Sequence, residues 1–233
     1  MSRKTVYSPH NLVVFIVLVL ILVLVIGLIF IGVVGAAFED VGFSPSVTVL
    51  ILVATLIGSF VNIPLLKLKS KMPIIKEEFV SFFGIVYRVP EVEYGEMTTL
   101  VAINAGGALI PTFVSFYLLW KTPASALSAL IGVAVVAIVT HAIARPVRGV
   151  GITTPIFVPP LIAILAALLL PSAFPLASPK IIAYVSGVLG TLIGADLSHL
   201  NVIPKLGAPV ASIGGAGTFD GVFLTGIIAV LLA

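Results

Sequence analysis

From Leu12 to Phe38 the chain runs for 27 residues in which every residue is apolar or glycine. A helix needs about 20 such residues to cross the hydrocarbon core of a bilayer. The run is far longer than the apolar region of a signal peptide and lacks a polar segment with a clear cleavage site, so it reads as a retained membrane helix. Six further segments have comparable character, at roughly 46–66, 99–120, 123–143, 156–176, 180–197 and 210–232. The expected fold class is therefore all-α: a polytopic transmembrane helical bundle of about seven spans, forming one membrane domain over residues 1–233. The fifth segment is the least regular, because Pro155, Pro159, Pro160, Pro171 and Pro175 shorten or break a helix there.

Only 9% of the residues are charged, so the placement of the few basic ones decides orientation. With the N-terminus in the cytoplasm, Arg3, Lys4, Lys67, Lys69, Lys71, Lys76, Arg88, Arg145, Arg148 and Lys205 all fall inside, ten of the twelve. Lys121 and Lys180 fall outside. This gives an N-in, C-out multi-pass protein of the plasma membrane whose inner rim attracts anionic lipid. The net charge of +3 needs no nucleic-acid partner to explain it. Without cysteine, disulfides and thiolate chemistry are excluded. No P-loop, dinucleotide or zinc-protease motif occurs, so no cofactor is expected.

Two carboxylates stand apart. Asp196 lies in VLGTLIGADLSHL and Asp220 in GGAGTFDGVFLTG, whereas the other seven acids fall in polar connections. An ionisable group at membrane depth costs several kcal/mol and marks a site. Asp220 is expected two to three helical turns into the seventh span, beside Gly217 and Gly221, which form a GxxxG pair. Asp196 closes the sixth span. His199 and Asn201 follow it, and with Asn104 these are candidate ligands for a substrate or ion. With a single histidine beside Asp196, no transition-metal site is expected. Ala183, Gly187, Gly190 and Gly194 form a small-residue seam that lets helices approach closely. If that seam met the seventh span, Asp196 would point away from Asp220, so a carboxylate pair requires the helix to distort near Gly194.

The second and sixth spans share ATLIG and GTLIG (54–58, 190–194), followed by Asn62-Ile63-Pro64 and Asn201-Val202-Ile203-Pro204. Gly106-Gly107-Ala108 and Gly214-Gly215-Ala216 rhyme in the third and seventh. This suggests a parallel repeat of spans one to three in five to seven, with Phe60 and Val114 as apolar counterparts of the two acids. The connection 67–98 is expected on the cytoplasmic side, holding a short β-hairpin near Ile85–Tyr94 and serving as a docking cap or an interfacial cover.

GADL at 194–197, SIGGAGTFDGVFLTGIIAVLLA at 212–233, GSFVNIPL at 58–65 and FFGIVYRVP at 82–90 resemble an uncharacterised family of archaeal and bacterial polytopic membrane proteins, a domain of unknown function. The placement of Asp196 and Asp220 on consecutive spans also resembles the intramembrane aspartyl proteases of the presenilin and signal-peptide-peptidase type. The motif departs from theirs: Thr218 and Phe219 intervene between Gly217 and Asp220, Ala195 precedes Asp196, and no Pro-Ala-Leu follows. Three functions stay open: an aspartyl protease using both acids, a proton- or cation-coupled transporter or channel, and a non-catalytic lipid-binding or assembly protein.

Overall fold

In the computed structural model the described residues are 9–82, 85–149, 151–215 and 221–233. Each of the seven apolar segments contains an α-helix: α1 Pro9–Asp40, α2 Pro45–Gly58, α3 Ile110–Lys121, α4 Ala126–Ile143, α5 Val158–Leu169, α6 Pro179–Thr191 and α7 Gly221–Leu232. Three are long and apolar enough to cross a membrane, over 12–40, 123–143 and 179–199 once the flanking turns are included. The others run for 12 or 14 residues. At 1.5 Å per residue that is about 18–21 Å, short of a bilayer core.

The fold is mostly helical but not all-α, and the ends of β1 and β2 and the whole of β5 fall where apolar runs were expected to stay helical. In the second segment α2 ends at Gly58 and strand β1 begins at Asn62. The third opens as strand β2, which ends at Asn104 before a π-helical turn, Ala105–Leu109, leads into α3. The seventh opens as strand β5, Val210–Ile213. Short apolar runs carry no periodicity that separates a buried strand from a helix. In the fifth segment Pro159 and Pro160 sit in the first turn of α5, where no N–H is needed, and Pro171 sits in a 3-10 turn, Leu170–Ser172.

The helix α6 is the centre of the bundle. Every residue from Ile181 to Thr191 is buried, against α3, α4, α5 and α7. Phe38 of α1, Tyr184 of α6 and Phe223 of α7 meet around it, with Phe38 5.9 Å from Tyr184 and 6.2 Å from Phe223. α1 docks through its last turns, where Val34, Ala37, Phe38 and Val41 are buried. Its leucines, isoleucines and valines from Leu12 to Ile31 are exposed, a cost in water but none in lipid. On α4 the buried residues Ala129, Gly132, Val133, Val136 and Thr140 make one face, and Leu127, Leu130 and Ile138 the opposite one.

The glycine seam of α6 serves two neighbours rather than one. A Cβ on Gly187 would press on Gly226 of α7, whereas one on Gly190 would meet Val136 Cβ at 2.5 Å and one on Gly194 would meet Ala137 O at 2.5 Å, both on α4. Gly190→Ala is therefore expected to cost about 1–3 kcal/mol, because Val136 is itself buried and cannot swing away. An unchanged unfolding midpoint in detergent would show that α4 and α6 have slack that this packing denies.

β1 (Asn62–Phe82) and β2 (Ile85–Asn104) pair antiparallel along their whole length, from Asn62 opposite Asn104 to Phe82 opposite Ile85. The hairpin is much longer than the short one expected near Ile85–Tyr94. At about 3.3 Å per residue it reaches about 65–70 Å. Its base is tied to the body: β5 pairs parallel with Leu100–Ile103, Ser70 Oγ donates to Pro204 O (2.8 Å), and Thr99 Oγ1 donates to Ala208 O (2.8 Å). Further out, Arg88 pairs with Glu77 at 3.2 Å and lies over the Phe79 ring, and Lys69 pairs with Glu96 nearer the base at 3.7 Å. These exposed pairs set register more than stability. β3 (Arg145–Val147) and β4 (Gly151–Thr153) form a small second hairpin after α4.

Candidate functional site

α6 gives up α-helical geometry at Thr191. A π-helical turn, Leu192–Asp196, follows, and then a 3-10 turn, Leu197–His199. The distortion near Gly194 that a carboxylate pair would need is thus present, and it leaves Asp196 on the wall of a cavity of about 230 Å³. Thr191 lines it from the end of α6, Ala195 from the π turn, Thr154 and Ile152 from the β4 side, Ser212 from β5, and Val222 from α7. Among the described lining residues Asp196 is the one ionisable group.

The carboxylate is anchored by backbone. Asp196 Oδ2 accepts the N–H of Gly214 at 2.7 Å. Gly214 and Gly215 have φ of +78° and +75°, a left-handed conformation that glycine takes without steric cost. The turn they make is fixed by a close approach. A Cβ on Gly107 would fall on Gly214 O, one on Gly214 would fall on Ala108, and one on Gly106 would fall on the backbone of Thr55 and Ser59. The two Gly-Gly segments singled out as a repeat therefore touch, and they lock α2, the π turn before α3 and the β5 turn together.

Asn104 serves the same junction. It is fully buried, donates from Nδ2 to Ser59 O (2.8 Å) and Asn62 Oδ1 (3.1 Å), and accepts the Gly107 N–H on Oδ1 (2.7 Å), capping the turn that starts α3. Asn62 Oδ1 also accepts from Ser212 Oγ at 2.6 Å. Asn104 thus lies two hydrogen bonds from the cavity wall, through Asn62 to Ser212, with its amide engaged at both ends.

The remaining candidates divide. Gly221 lines the cavity and opens α7. Among the described residues a Cβ there would meet nothing within 4 Å, so Gly221 makes no tight helix contact with them. Asp220 and Gly217 lie outside the described residues. The expectation of Asp220 two to three helical turns into the seventh span therefore falls outside the described residues; ahead of it, residues 210–213 are a strand and 214–215 a left-handed turn. Gly215 and Gly221, which flank 216–220, both line the cavity of Asp196. Asn201 is exposed in a turn. His199 is buried, and it does not line the cavity. Its ring packs 4.6 Å from that of His141, in the basic stretch HAIARPVRG at the end of α4. Thr154 and Ser212 carry no sequence signal, since lone hydroxyls in apolar runs usually bond their own helix. No group of three metal-ligating side chains occurs among the described residues.

A family described as a protein of unknown function, DUF1614, matches residues 56–232. The chain belongs to that family. The match spans the site from the end of α2 to α7, including both Gly-Gly segments, the hairpin and Asp196. No curated protein and no solved structure matches the chain. The uncharacterised family is thus the resemblance that holds; the likeness to presenilin-type proteases gains nothing from these comparisons.

Proposed function

We propose that this DUF1614 protein is a multi-pass membrane protein that binds a proton or a small cation at Asp196 and couples that binding to transport. The observation that carries the reading is the cavity where α6 unwinds, with Asp196 as the one ionisable group among its described walls. Non-helical backbone is tolerated in an apolar membrane domain where it lines a polar cavity, and interrupted helices meeting at a carboxylate are how many carriers hold a coupling ion. Thr191, Thr154 and Ser212 supply neutral oxygens around the charge. The parallel repeat fits this reading: β2 and β5 run side by side, and each leads into a Gly-Gly turn. We place the N-terminus in the cytoplasm, with Lys67, Lys69, Arg145 and Lys205 toward anionic headgroups.

A second reading, an aspartyl protease with Asp196 and Asp220 as its acid pair, is favoured by one observation: the segment holding Asp220 enters and leaves on the wall of the same cavity. Carbodiimide labelling of the full chain in liposomes tests the first reading without a known substrate. Dicyclohexylcarbodiimide attacks protonated carboxyls in apolar sites, so Asp196 is expected to label first and to be protected by raised pH or Na⁺. Proton flux into dye-loaded vesicles should fall with the labelling. Asp196 labelling no faster than Glu77 or Glu96, with no flux, would remove the coupling role. Cleavage of a membrane-helix peptide that is lost in both Asp196→Asn and Asp220→Asn would establish the protease instead.

A further inference from the structure

A groove of about 580 Å³ runs between α2 and α3. It lies at the far end of the bundle from Asp196. Lys180, at the start of α6, pairs with Asp40 at 3.3 Å, and Lys121 donates to Gly42 O, two residues on, at 3.2 Å. Val47 and Ile51 wall the groove from α2, and Phe113, Val114 and Tyr117 from α3. Spacings of three and four residues put each set on one helix face. From Phe113 to Lys121 the groove follows α3 for about 12 Å.

The groove is polar at one end only, and that end is positive. An ammonium group has three donors. Lys121 Nζ uses one on Gly42 O, and among the described residues no carboxylate lies within 4 Å of it. Asp40 is already paired with Lys180. The N-terminus of α2 opens at the same mouth, where the Ser44 side chain makes no capping bond, and its dipole adds to the positive charge. The wall below is fixed by aromatic packing. Tyr117 stacks on Phe43 with ring centroids 5.6 Å apart, and Phe43 meets the buried Phe38 edge-on at 5.9 Å. Trp120, 79% exposed, stands 6.2 Å from Tyr117. Exposed Trp and Tyr mark the polar boundary of a bilayer, which puts Lys121 at headgroup depth and Phe113 among acyl chains.

We propose that this groove holds a phospholipid of net negative charge, with its phosphate at Lys121 and one acyl chain lying between α2 and α3 toward Phe113. A soluble anion would leave the apolar walls uncovered, and an uncharged chain would leave Lys121 without a counterion. Walls already in place spare part of the ordering cost of binding. The site goes beyond the Asp196 reading and does not depend on it, because no residue lines both cavities.

Trp120 is the one tryptophan in the chain, so its fluorescence reports on this groove. The full chain is reconstituted in bilayers of phosphatidylcholine and phosphatidylglycerol, with bromine on the acyl chains of one lipid or the other. Both lipids occupy both leaflets, so orientation does not enter. At equal mole fraction, brominated phosphatidylglycerol is expected to quench Trp120 as a lipid bound about fivefold more tightly, the factor that one basic residue gives toward an anionic lipid. Lys121→Gln is expected to remove the preference. Val47→Phe fills the groove but keeps the charge, and is expected to remove it as well. Both substitutions are at exposed positions, so the fold is expected to survive them. Equal quenching by the two lipids in the wild type would overturn the site. A preference that survives either substitution would also overturn it, leaving only charge attraction at the membrane surface. Weak quenching by both lipids, with a dimer cross-linked through Val47→Cys, would give the groove to a second copy of the chain instead.

Discussion

Gly107→Ala is expected to destabilise the protein by about 3 kcal/mol or more. The added Cβ would fall on Gly214 O. That atom is backbone, so no flexible side chain can yield. Gly214 cannot retreat freely either, since it is held in a left-handed turn with Ala108 on one side and its N–H donated to Asp196 on the other. Relief therefore requires β5 to leave β2 or the turn to release Asp196. Gly35→Ala is the control. It adds the same methyl to a helix position where nothing lies within 4 Å, and is expected to change stability by about 1 kcal/mol or less, in the stabilising direction. Thermal unfolding in detergent compares the two, and equal midpoints would mean that the Gly-Gly junction is not tight in solution.

Asp196→Asn is expected to abolish proton or cation coupling while leaving the fold nearly intact. The amide oxygen of asparagine can still accept the Gly214 N–H, so the structural tie survives, but the charge and the titration are gone. Asp196→Ala separates the two roles. It loses the acceptor as well and leaves a part-buried N–H without its partner, at a cost of about 1–3 kcal/mol. The expected pattern is loss of flux in both variants with loss of stability chiefly in alanine. Full flux in a folded Asp196→Asn protein would reduce the carboxylate to a clasp on the Gly214 turn.

Part of the site was legible from residue order and part was not. Asp196 stood out because a carboxylate inside an apolar stretch is costly wherever the chain puts it. The Gly-Gly segments stood out as a rhyme, although their use, each filling the space that a side chain would take from the other, appears only on contact. His141 stands in the basic stretch HAIARPVRG, where Arg145 and Arg148 dominate the local pattern. Its pairing with His199 depends on how closely α4 meets α6 at Gly194, a distance that no local pattern encodes.

The sequence by itself determined the solvent of this protein and the number of helical cores. Long runs without charge leave lipid as the medium, and an α-helix formed within each of the seven runs. Only the tertiary structure decided where those helices stop. Leu100–Ile103 and Val210–Ile213 are apolar enough for a helix, yet they are strands because each finds the other as a partner for its backbone. A helix satisfies its N–H and C=O groups within the segment, so its presence can be read locally. A strand satisfies them on a neighbour more than a hundred residues away, and that neighbour exists only once the chain has folded.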